Sequence, residues 1–299
     1  HNMATWMVAQ FGNADIQKQI APKMASGEWL GSYCLTEPGA GSDAGNLRTK
    51  ATRDGDSYVL NGSKVFISGA GATQMLVVMA RTGEPGSGPK GISAFVVPAD
   101  SDGIHYGKAE EKMGWNSQPT RQITFENVRV PANNRLGEEG QGFMIAMKGL
   151  DGGRLNIATC SIGGAQAALL RARNYMHERE QFGQALAGFQ ALQFKLADMA
   201  TNLVAARQMV RLAAYRLDQG DTEATLHCAM AKRFATDACF EVCNEALQLH
   251  GGYGYIREYP LERYVRDLRV HQILEGTNEI MRLIVARRLL EPGVAEAIQ

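Results

Sequence analysis

The stretch Leu35-Thr36-Glu37-Pro38-Gly39-Ala40-Gly41-Ser42-Asp43-Ala44-Gly45 concentrates glycines and hydroxyls. Glycines let backbone N–H groups approach an anion closely and hydroxyls add donors, so a phosphate or diphosphate would suit the segment. Gly39, Gly41 and Ala44 also satisfy the G-x-G-x-x-G/A spacing of dinucleotide sites. That fingerprint needs a strand before it and an amphipathic helix opening from it. Here the sequel, residues 49–60, reads as loop and strand, so a Rossmann site is rejected. Taken alone, the loop reads as an ordinary turn.

Other groups are weaker signals. His250, followed by Gly251-Gly252, reads alone as a satisfied helix-end histidine. The cysteines Cys34, Cys160, Cys228, Cys239 and Cys243 are odd in number and form no C-x-x-C, which fits reduced thiols better than a disulfide framework or a zinc knuckle. Cys239 and Cys243 share a helical face at i, i+4, but small apolar side chains on a core stripe account for them, and no metal site is expected. Arg263, Arg266 and Arg269 recur every three residues, and we read them as a solvated or intersubunit stripe rather than a nucleic-acid contact.

These groups need a scaffold. The 299 residues are 45% hydrophobic, enough for one large or two ordinary domains with a substantial core. Lys plus Arg and Asp plus Glu are 31 each, so no global field draws the chain to nucleic acid or an anionic membrane. Apolar runs such as 75–80 fall far short of the roughly 20 residues of a spanning helix. The opening His1-Asn2-Met3-Ala4-Thr5-Trp6 lacks the basic stretch and apolar core of a signal peptide and is expected to begin a shortened chain.

Residues 1–28 carry Trp6, Met7, Phe11, Ile16 and Ile20 at roughly helical intervals and predict one or two short helices. From 29 to about 133 the texture is β-rich, with strands expected over 57–60, 64–68, 74–81, 92–98 and 122–130, making an antiparallel sheet domain. From about 142 it turns helical. Leu192, Leu196, Met199, Leu203, Ala206, Val210, Ala213 and Leu217 form an unbroken stripe, Gly220 stops it, and Asp221-Thr222 offers a cap to a helix running to about 249. A last amphipathic helix is expected over 278–290. The C-terminal half therefore reads as a helical bundle.

Five ordered segments resemble the acyl-CoA dehydrogenase family. They are Cys34-Leu35-Thr36-Glu37-Pro38-Gly39-Ala40-Gly41-Ser42-Asp43, Lys64-Val65-Phe66-Ile67-Ser68, Arg179-Glu180-Gln181-Phe182-Gly183, Gln248-Leu249-His250-Gly251-Gly252-Tyr253-Gly254-Tyr255 and Leu274-Glu275-Gly276-Thr277-Asn278. One such motif is weak, whereas five in order across essentially the whole chain are specific. Within the family, segments 114–120 and 270–276 look most like the members acting on isobutyryl-CoA, the branched acyl-CoA of valine breakdown. The resemblance implies an α+β fold: an N-terminal helical domain of which residues 1–28 look like only a remnant, a middle β domain over 29–140, and a C-terminal four-helix domain over 141–299.

It also implies FAD as cofactor and α,β-desaturation of an acyl-CoA. That reaction needs a base at the α carbon, a hydride acceptor at the β carbon and support for charge on the thioester oxygen. No side chain accepts hydride, and a flavin does. By resemblance Glu275 is the base; Ile273 and Leu274 beside it would desolvate the carboxylate and raise its pKa. Its main-chain N–H, with a flavin ribityl hydroxyl, would hold the thioester oxygen, and Gly276 leaves room there. Glu279 is the nearby competitor but opens a helix, where a carboxylate offsets the dipole.

The resemblance further implies that Thr36 and Ser68 bond the flavin ring and that Phe66 and Ile67 wall it. Cys34, Leu35, Gly41, Ser42, Thr277, Asn278 and Glu279 join the expected cofactor-binding set. Ser42, Asp151 and Arg154 match positions that hold the CoA moiety, and Tyr255 and Gly276 are expected on the substrate side. Arg179, Gln181, Phe182, Phe189, Gln190, Gln248, Leu249, His250, Gly251 and Gly252 resemble residues that a neighbouring subunit lends to FAD, which makes a dimer the minimum functional unit and a dimer of dimers the expected oligomer. The expected electron acceptor is an electron-transferring flavoprotein, and the expected compartment a mitochondrial matrix or bacterial cytoplasm. An oxygen-using oxidase on the same fold and a non-catalytic FAD or acyl-CoA binding fragment remain open alternatives.

Overall fold

The computed structural model describes residues 1–84 and 86–295. The chain forms two compact units, residues 1–112 with 116–150, and residues 113–115 with the described part of 151–299. The expected third domain ran to residue 299, and its last four residues lie outside the described ones.

The first unit opens with α1 (Asn2–Phe11), α2 (Ala14–Gln19) and α3 (Ala21–Ala25). Local capping makes three helices where one or two were expected. The Asn13 side chain accepts the Ile16 N–H at 3.0 Å to start α2, and Pro22 sits in the first turn of α3, where its missing N–H is not needed.

The strands are β1 (Gly31–Cys34), β2 (Lys50–Asp54), β3 (Ser57–Ser68), β4 (Met75–Arg81), β5 (Ile92–Pro98), β6 (Ile104–Tyr106), β7 (Thr120–Pro131) and β8 (Arg135–Leu136). They make one sheet in the order β6-β7-β3-β2-β4-β5-β8, with β1 against β4. The sheet is mainly antiparallel, as expected, but β1 runs parallel to β4, and Lys50 pairs with Arg81 in a parallel bridge. The runs expected over 57–60 and 64–68 are one strand. Register shifts between Leu60 and Gly62 and between Lys64 and Ile67 interrupt its alternation, which is why the sequence reads as two.

Strand alternation sorts β4 into two cores. Met75, Val77 and Met79 join Ala4, Met7 and Met24 on one face of the sheet. Leu76, Val78 and Ala80 join Tyr58, Phe95 and Phe125 on the other. Successive side chains point to opposite faces, so a strand apolar throughout marks a sheet covered on both sides.

The boundary between units falls within α4 (Gly142–Glu178). The second unit continues with a small hairpin, β9 (Glu180–Gln181) and β10 (Gln184–Ala185), then α5 (Gln190–Asp218), α6 (Ala224–His250), α7 (Gly252–Tyr255), α8 (Leu261–Arg269) and α9 (Asn278–Leu289). Of the expected α5 stripe, Met199, Leu203, Ala206, Val210 and Ala213 are buried, while Leu192, Leu196 and Leu217 are partly buried against the same core. Small residues such as Ala158, Ala165, Ala168 and Ala172 from α4 and Ala231, Ala235 and Ala246 from α6 complete it, allowing close helix approach. Gly220, at φ +65°, follows α5. The cap expected from Asp221-Thr222 is partly realised: α6 begins at Ala224, and the Asp221 carboxylate accepts the Glu223 N–H at 2.8 Å.

Cys239 and Cys243 are buried on this core stripe, and no metal-binding cluster occurs among the described residues. The arginines on α8 differ in role. Arg263 and Arg269 are exposed, but Arg266 donates to Glu262 at 2.6 Å and to the Met113 carbonyl at 2.8 Å, so it is a pin within this unit rather than part of a solvated stripe. No helix among the described residues is long and apolar enough to cross a membrane.

Candidate active site

In the first unit, β1 delivers the chain into the glycine loop, and β3 grips that loop from the side. The Lys64 ammonium, fully buried, donates to the Leu35 carbonyl at 2.9 Å and to Glu37 Oε1 at 2.7 Å. The Val65 N–H donates to the Thr36 carbonyl at 2.9 Å. Glu37 in turn accepts the N–H groups of Arg48 (2.6 Å) and Thr49 (2.9 Å), which closes the far side of the loop. Burial disfavours the Glu37 carboxylate, but the Lys64 charge and these bonds outweigh it and hold the carboxyl below the ordinary carboxylate range, while burial lowers the Lys64 ammonium against the opposing pull of Glu37.

This grip positions the expected flavin-ring residues. Thr36 is half-buried, Ser68 exposed, and Ile67 turned into the core. Phe66 sits in the β3 irregularity at φ +57° and is 69% exposed. A left-handed conformation costs a side-chain-bearing residue roughly 1–2 kcal/mol, and the surrounding pairs must hold it there. Gly41 and Ser42 are exposed, and a Cβ added at Gly39 or Gly41 would meet nothing within 4 Å. After the loop come a short turn at Ala44–Asn46 and then β2, so no long helix opens from it. The Cys34 thiol lies in the sheet core, where burial pushes it up to about 12, and Leu35 is buried too.

In the second unit, a cavity of about 780 Å³ gathers Arg179, Gln181, Gln248, Leu249, His250, Gly251 and Gly252, along with Tyr175, Lys195 and Tyr253. His250 donates from Nδ1 to the Ala246 carbonyl at 2.7 Å and stacks on Tyr175 at 4.3 Å between ring centroids. Gly251, at φ +58°, allows α6 to end and α7 to begin. Phe182, at φ +53° and 96% exposed, meets Phe189 edge-on at 6.3 Å. Phe182, Phe189 and Gln190 do not line the cavity. Tyr255, at the end of α7, is exposed.

The same unit holds the expected base. Glu275 has φ +56° and is followed by Gly276 at φ +88°, two left-handed residues in succession. The positive φ is what favours glycine at 276; a Cβ there would also meet Met281 Cε at 2.7 Å, the mobile end of a flexible side chain that can shift. Glu275 is half-exposed overall, yet its Oε2 atom is buried and has no hydrogen-bond partner among the described residues. Burial pushes its carboxyl above the ordinary range, against the pull of Arg154 and Lys232.

Asp151 and Arg154, one turn apart on α4, are both buried. Arg154 donates to Asp151 at 2.6 Å, the Thr225 hydroxyl donates to Asp151 at 2.7 Å, and Arg154 Nε is buried without a partner. Thr277 caps α9 by accepting the Ile280 N–H at 3.3 Å, Glu279 is exposed in its first turn, and the Asn278 side chain is buried.

Sequence reasoning missed Lys232. It is fully buried on α6 and donates to the Gly276 carbonyl and to Asn278 Oδ1, both at 2.8 Å. A signal existed: Cys228, Lys232, Ala235 and Cys239 follow helical core spacing, so a lysine occupies an apolar stripe. The partnership of Glu37 with Lys64 was missed likewise, although both lie in motif segments.

Residues 32–128 match the family model "Acyl-CoA dehydrogenase, middle domain" and residues 140–290 match "Acyl-CoA dehydrogenase, C-terminal domain". The chain belongs to the acyl-CoA dehydrogenase family and has its fold, a middle β domain followed by a C-terminal helical domain. A mitochondrial isobutyryl-CoA dehydrogenase of Bos taurus is 55% identical over 291 residues, which cover 97% of this chain and 70% of that protein. The solved butyryl-CoA dehydrogenase of Megasphaera elsdenii superposes with a TM-score of 0.94 at 43% identity, covering 97% of this chain and 75% of that one. A structure described as electron transferring flavoprotein of Acidaminococcus fermentans gives 0.94 at 44% identity, covering 96% and 75%.

Proposed function

We propose that this chain desaturates a short, branched, isobutyryl-like acyl-CoA between its α and β carbons, using FAD and passing electrons to an electron-transferring flavoprotein. The observation that carries the reading is Glu275: a carboxylate oxygen buried without a partner, on a left-handed turn beside a required glycine. An unpartnered buried acceptor is costly unless something arrives to use it. A carboxyl raised by burial is suited to take and keep an α proton.

The residues present fit FAD. The 780 Å³ cavity offers a guanidinium from Arg179, amides from Gln181 and Gln248, and open space at Gly251 and Gly252, a donor set suited to a diphosphate. Bound FAD supplies the hydride acceptor that no side chain provides. Thr36 and Ser68 are assigned to hydrogen bonds with its ring, Phe66 to walling it, with Ile67 offering backbone alone because its side chain lies in the sheet core, and Arg179, Gln181 and the 248–252 run to a second copy's FAD. That last assignment implies a homo-oligomer, a dimer at least.

Glu275 then removes the α proton, while its main-chain N–H supports the thioester oxygen. Ser42, Asp151 and Arg154 are assigned to the CoA moiety, with Arg154 Nη1 already engaged by Asp151. The division into 1–28, 29–140 and 141–299 belongs to the same proposal. The isobutyryl preference draws on the bovine relative, whose name also describes it as mitochondrial; a mitochondrial matrix or a bacterial cytoplasm is the setting proposed for this chain.

Anaerobic titration of the FAD-loaded protein with isobutyryl-CoA, butyryl-CoA and isovaleryl-CoA tests the reading. Bleaching of the oxidised flavin band, strongest with isobutyryl-CoA, is expected. A spectrum unmoved by every acyl-CoA would sink it, and stoichiometric hydrogen peroxide in air would replace dehydrogenase with oxidase.

A further inference from the structure

We infer that Lys232 is a positioning residue for Glu275, clamping the left-handed turn that carries the carboxylate and setting a positive charge near it. This rests on Glu275 being the base. Both Lys232 acceptors, the Gly276 carbonyl and Asn278 Oδ1, lie in the three residues after Glu275, although they are 44 and 46 positions away from the lysine in sequence. Asn278 is anchored in turn: its Nδ2 donates to Thr236 Oγ1 at 2.9 Å and to Asp237 Oδ1 at 2.6 Å, one turn further along α6. The clamp therefore ties the 275–278 turn to the most buried helix of the unit.

Two features make the clamp more than ordinary core bonding. Glu275 has a side chain and a positive φ, so its turn is held by surrounding contacts rather than by its own preference. Among the described residues Lys232 also forms no ion pair with a carboxylate, although it is wholly buried. Among the other groups around it, Asp237 pairs with Arg233 and Arg282 and accepts from Gln272 and Asn278, Glu279 is exposed, Arg154 is a second cation, and burial lowers the His271 imidazole to about 4, its Nδ1 in a hydrogen bond with Ser161 Oγ at 2.7 Å. Lys232 adds to the downward pull on the Glu275 carboxyl, behind that of Arg154, although burial lowers the ammonium itself to about 8. Misplacing a reacting group by about 1 Å can cost ~100-fold, which sets the scale expected if the clamp is lost.

The test uses the FAD-loaded protein as Lys232→Met, Glu275→Gln and the double variant. Three readouts are taken: the anaerobic flavin-reduction rate with isobutyryl-CoA, the bound-FAD content, and backbone hydrogen exchange over 273–281. Lys232→Met is expected to slow reduction ~100-fold with FAD content unchanged, to speed exchange in that segment, and to add little loss on the Glu275→Gln background.

Parental rate and exchange in Lys232→Met overturn the inference while leaving the base assignment intact, and so does an equally large loss on the Glu275→Gln background. A parental rate in Glu275→Gln alone overturns the base assignment, and the inference falls with it. If Lys232→Met does not fold, Asn278→Ala removes the second acceptor and is measured identically. Slower reduction with faster exchange supports the clamp, and parental values overturn it.

Discussion

Lys64 in the β unit and Lys232 in the helical unit are both wholly buried, but their surroundings differ. Lys64 meets the Glu37 carboxylate directly, and Glu37 is further satisfied by two backbone N–H groups. Among the described residues Lys232 donates to a carbonyl and an amide, while the Glu275 carboxyl keeps an oxygen without a hydrogen-bond partner. The first arrangement is closed: its charges cancel locally, and what it does is hold the glycine loop against β3. The second is open, leaving both a cation and a carboxyl with unspent capacity. A fully paired buried charge builds structure, whereas an incompletely paired one is available for chemistry.

The largest effect expected from this contrast is on Glu275→Gln. Removing the proposed general base should slow flavin reduction by isobutyryl-CoA about 10³-fold, read by anaerobic stopped flow. A loss under tenfold would place Glu275 with the merely structural carboxylates.

The same exchange in the closed pair should leave an uncompensated Lys64 in the core. Glu37→Gln is expected to destabilise the protein by ~3 kcal/mol in denaturant unfolding. Because the Glu37 carboxyl is held below its unfolded value, its stabilisation is present above the ordinary carboxylate range and is lost as pH falls through the folded pKa. The gap between parent and variant should therefore close in acid, and a gap independent of pH would contradict the pairing.

Glu275 predicts the opposite sign for stability. Its carboxyl is raised, so its contribution is present at pH below the unfolded value and is lost as pH rises through the folded one. At neutral pH, Glu275→Gln should leave stability unchanged or raise it by ~1 kcal/mol, as removal of a strained functional group often does. A loss comparable to that of Glu37→Gln would dissolve the comparison. The smallest effect expected is in the pH profile: flavin reduction should rise with pH along a limb whose midpoint lies above the ordinary carboxylate range. A midpoint at or below that range would mean the base is solvated.

Much of this was legible before any fold was known. The α5 stripe from Leu192 to Leu217 and the strand at Ile92–Pro98 follow from local periodicity alone, and both are in the structure where the pattern put them. The glycine loop could be separated from a dinucleotide site because the residues after it lack a helical pattern, and the structure has a short turn and a strand there. Less legible were features whose local signal is interrupted. The register shifts in β3 hid one strand as two, and capping by Asn13 and Pro22 divided the opening segment more finely than its apolar spacing suggested. Arg266 looked like a member of a surface row because spacing along α8 offers it the i, i+4 partner Glu262 but says nothing of the Met113 carbonyl that also holds it.

What the sequence determined by itself is which residues prefer helix or strand, which stripes are apolar, and which ordered motifs the chain carries, since all of these depend on near neighbours. What only the tertiary structure decided is the fate of individual charges. Glu37 and Glu275 are the same residue type in motifs of similar texture, yet one carboxyl is held down and the other pushed up. The difference lies in partners brought from 27 positions away for Glu37, and in their absence at Glu275 Oε2. Desolvation and pairing act over a few ångströms of space rather than of sequence, so a carboxylate's role is set when the fold chooses its neighbours.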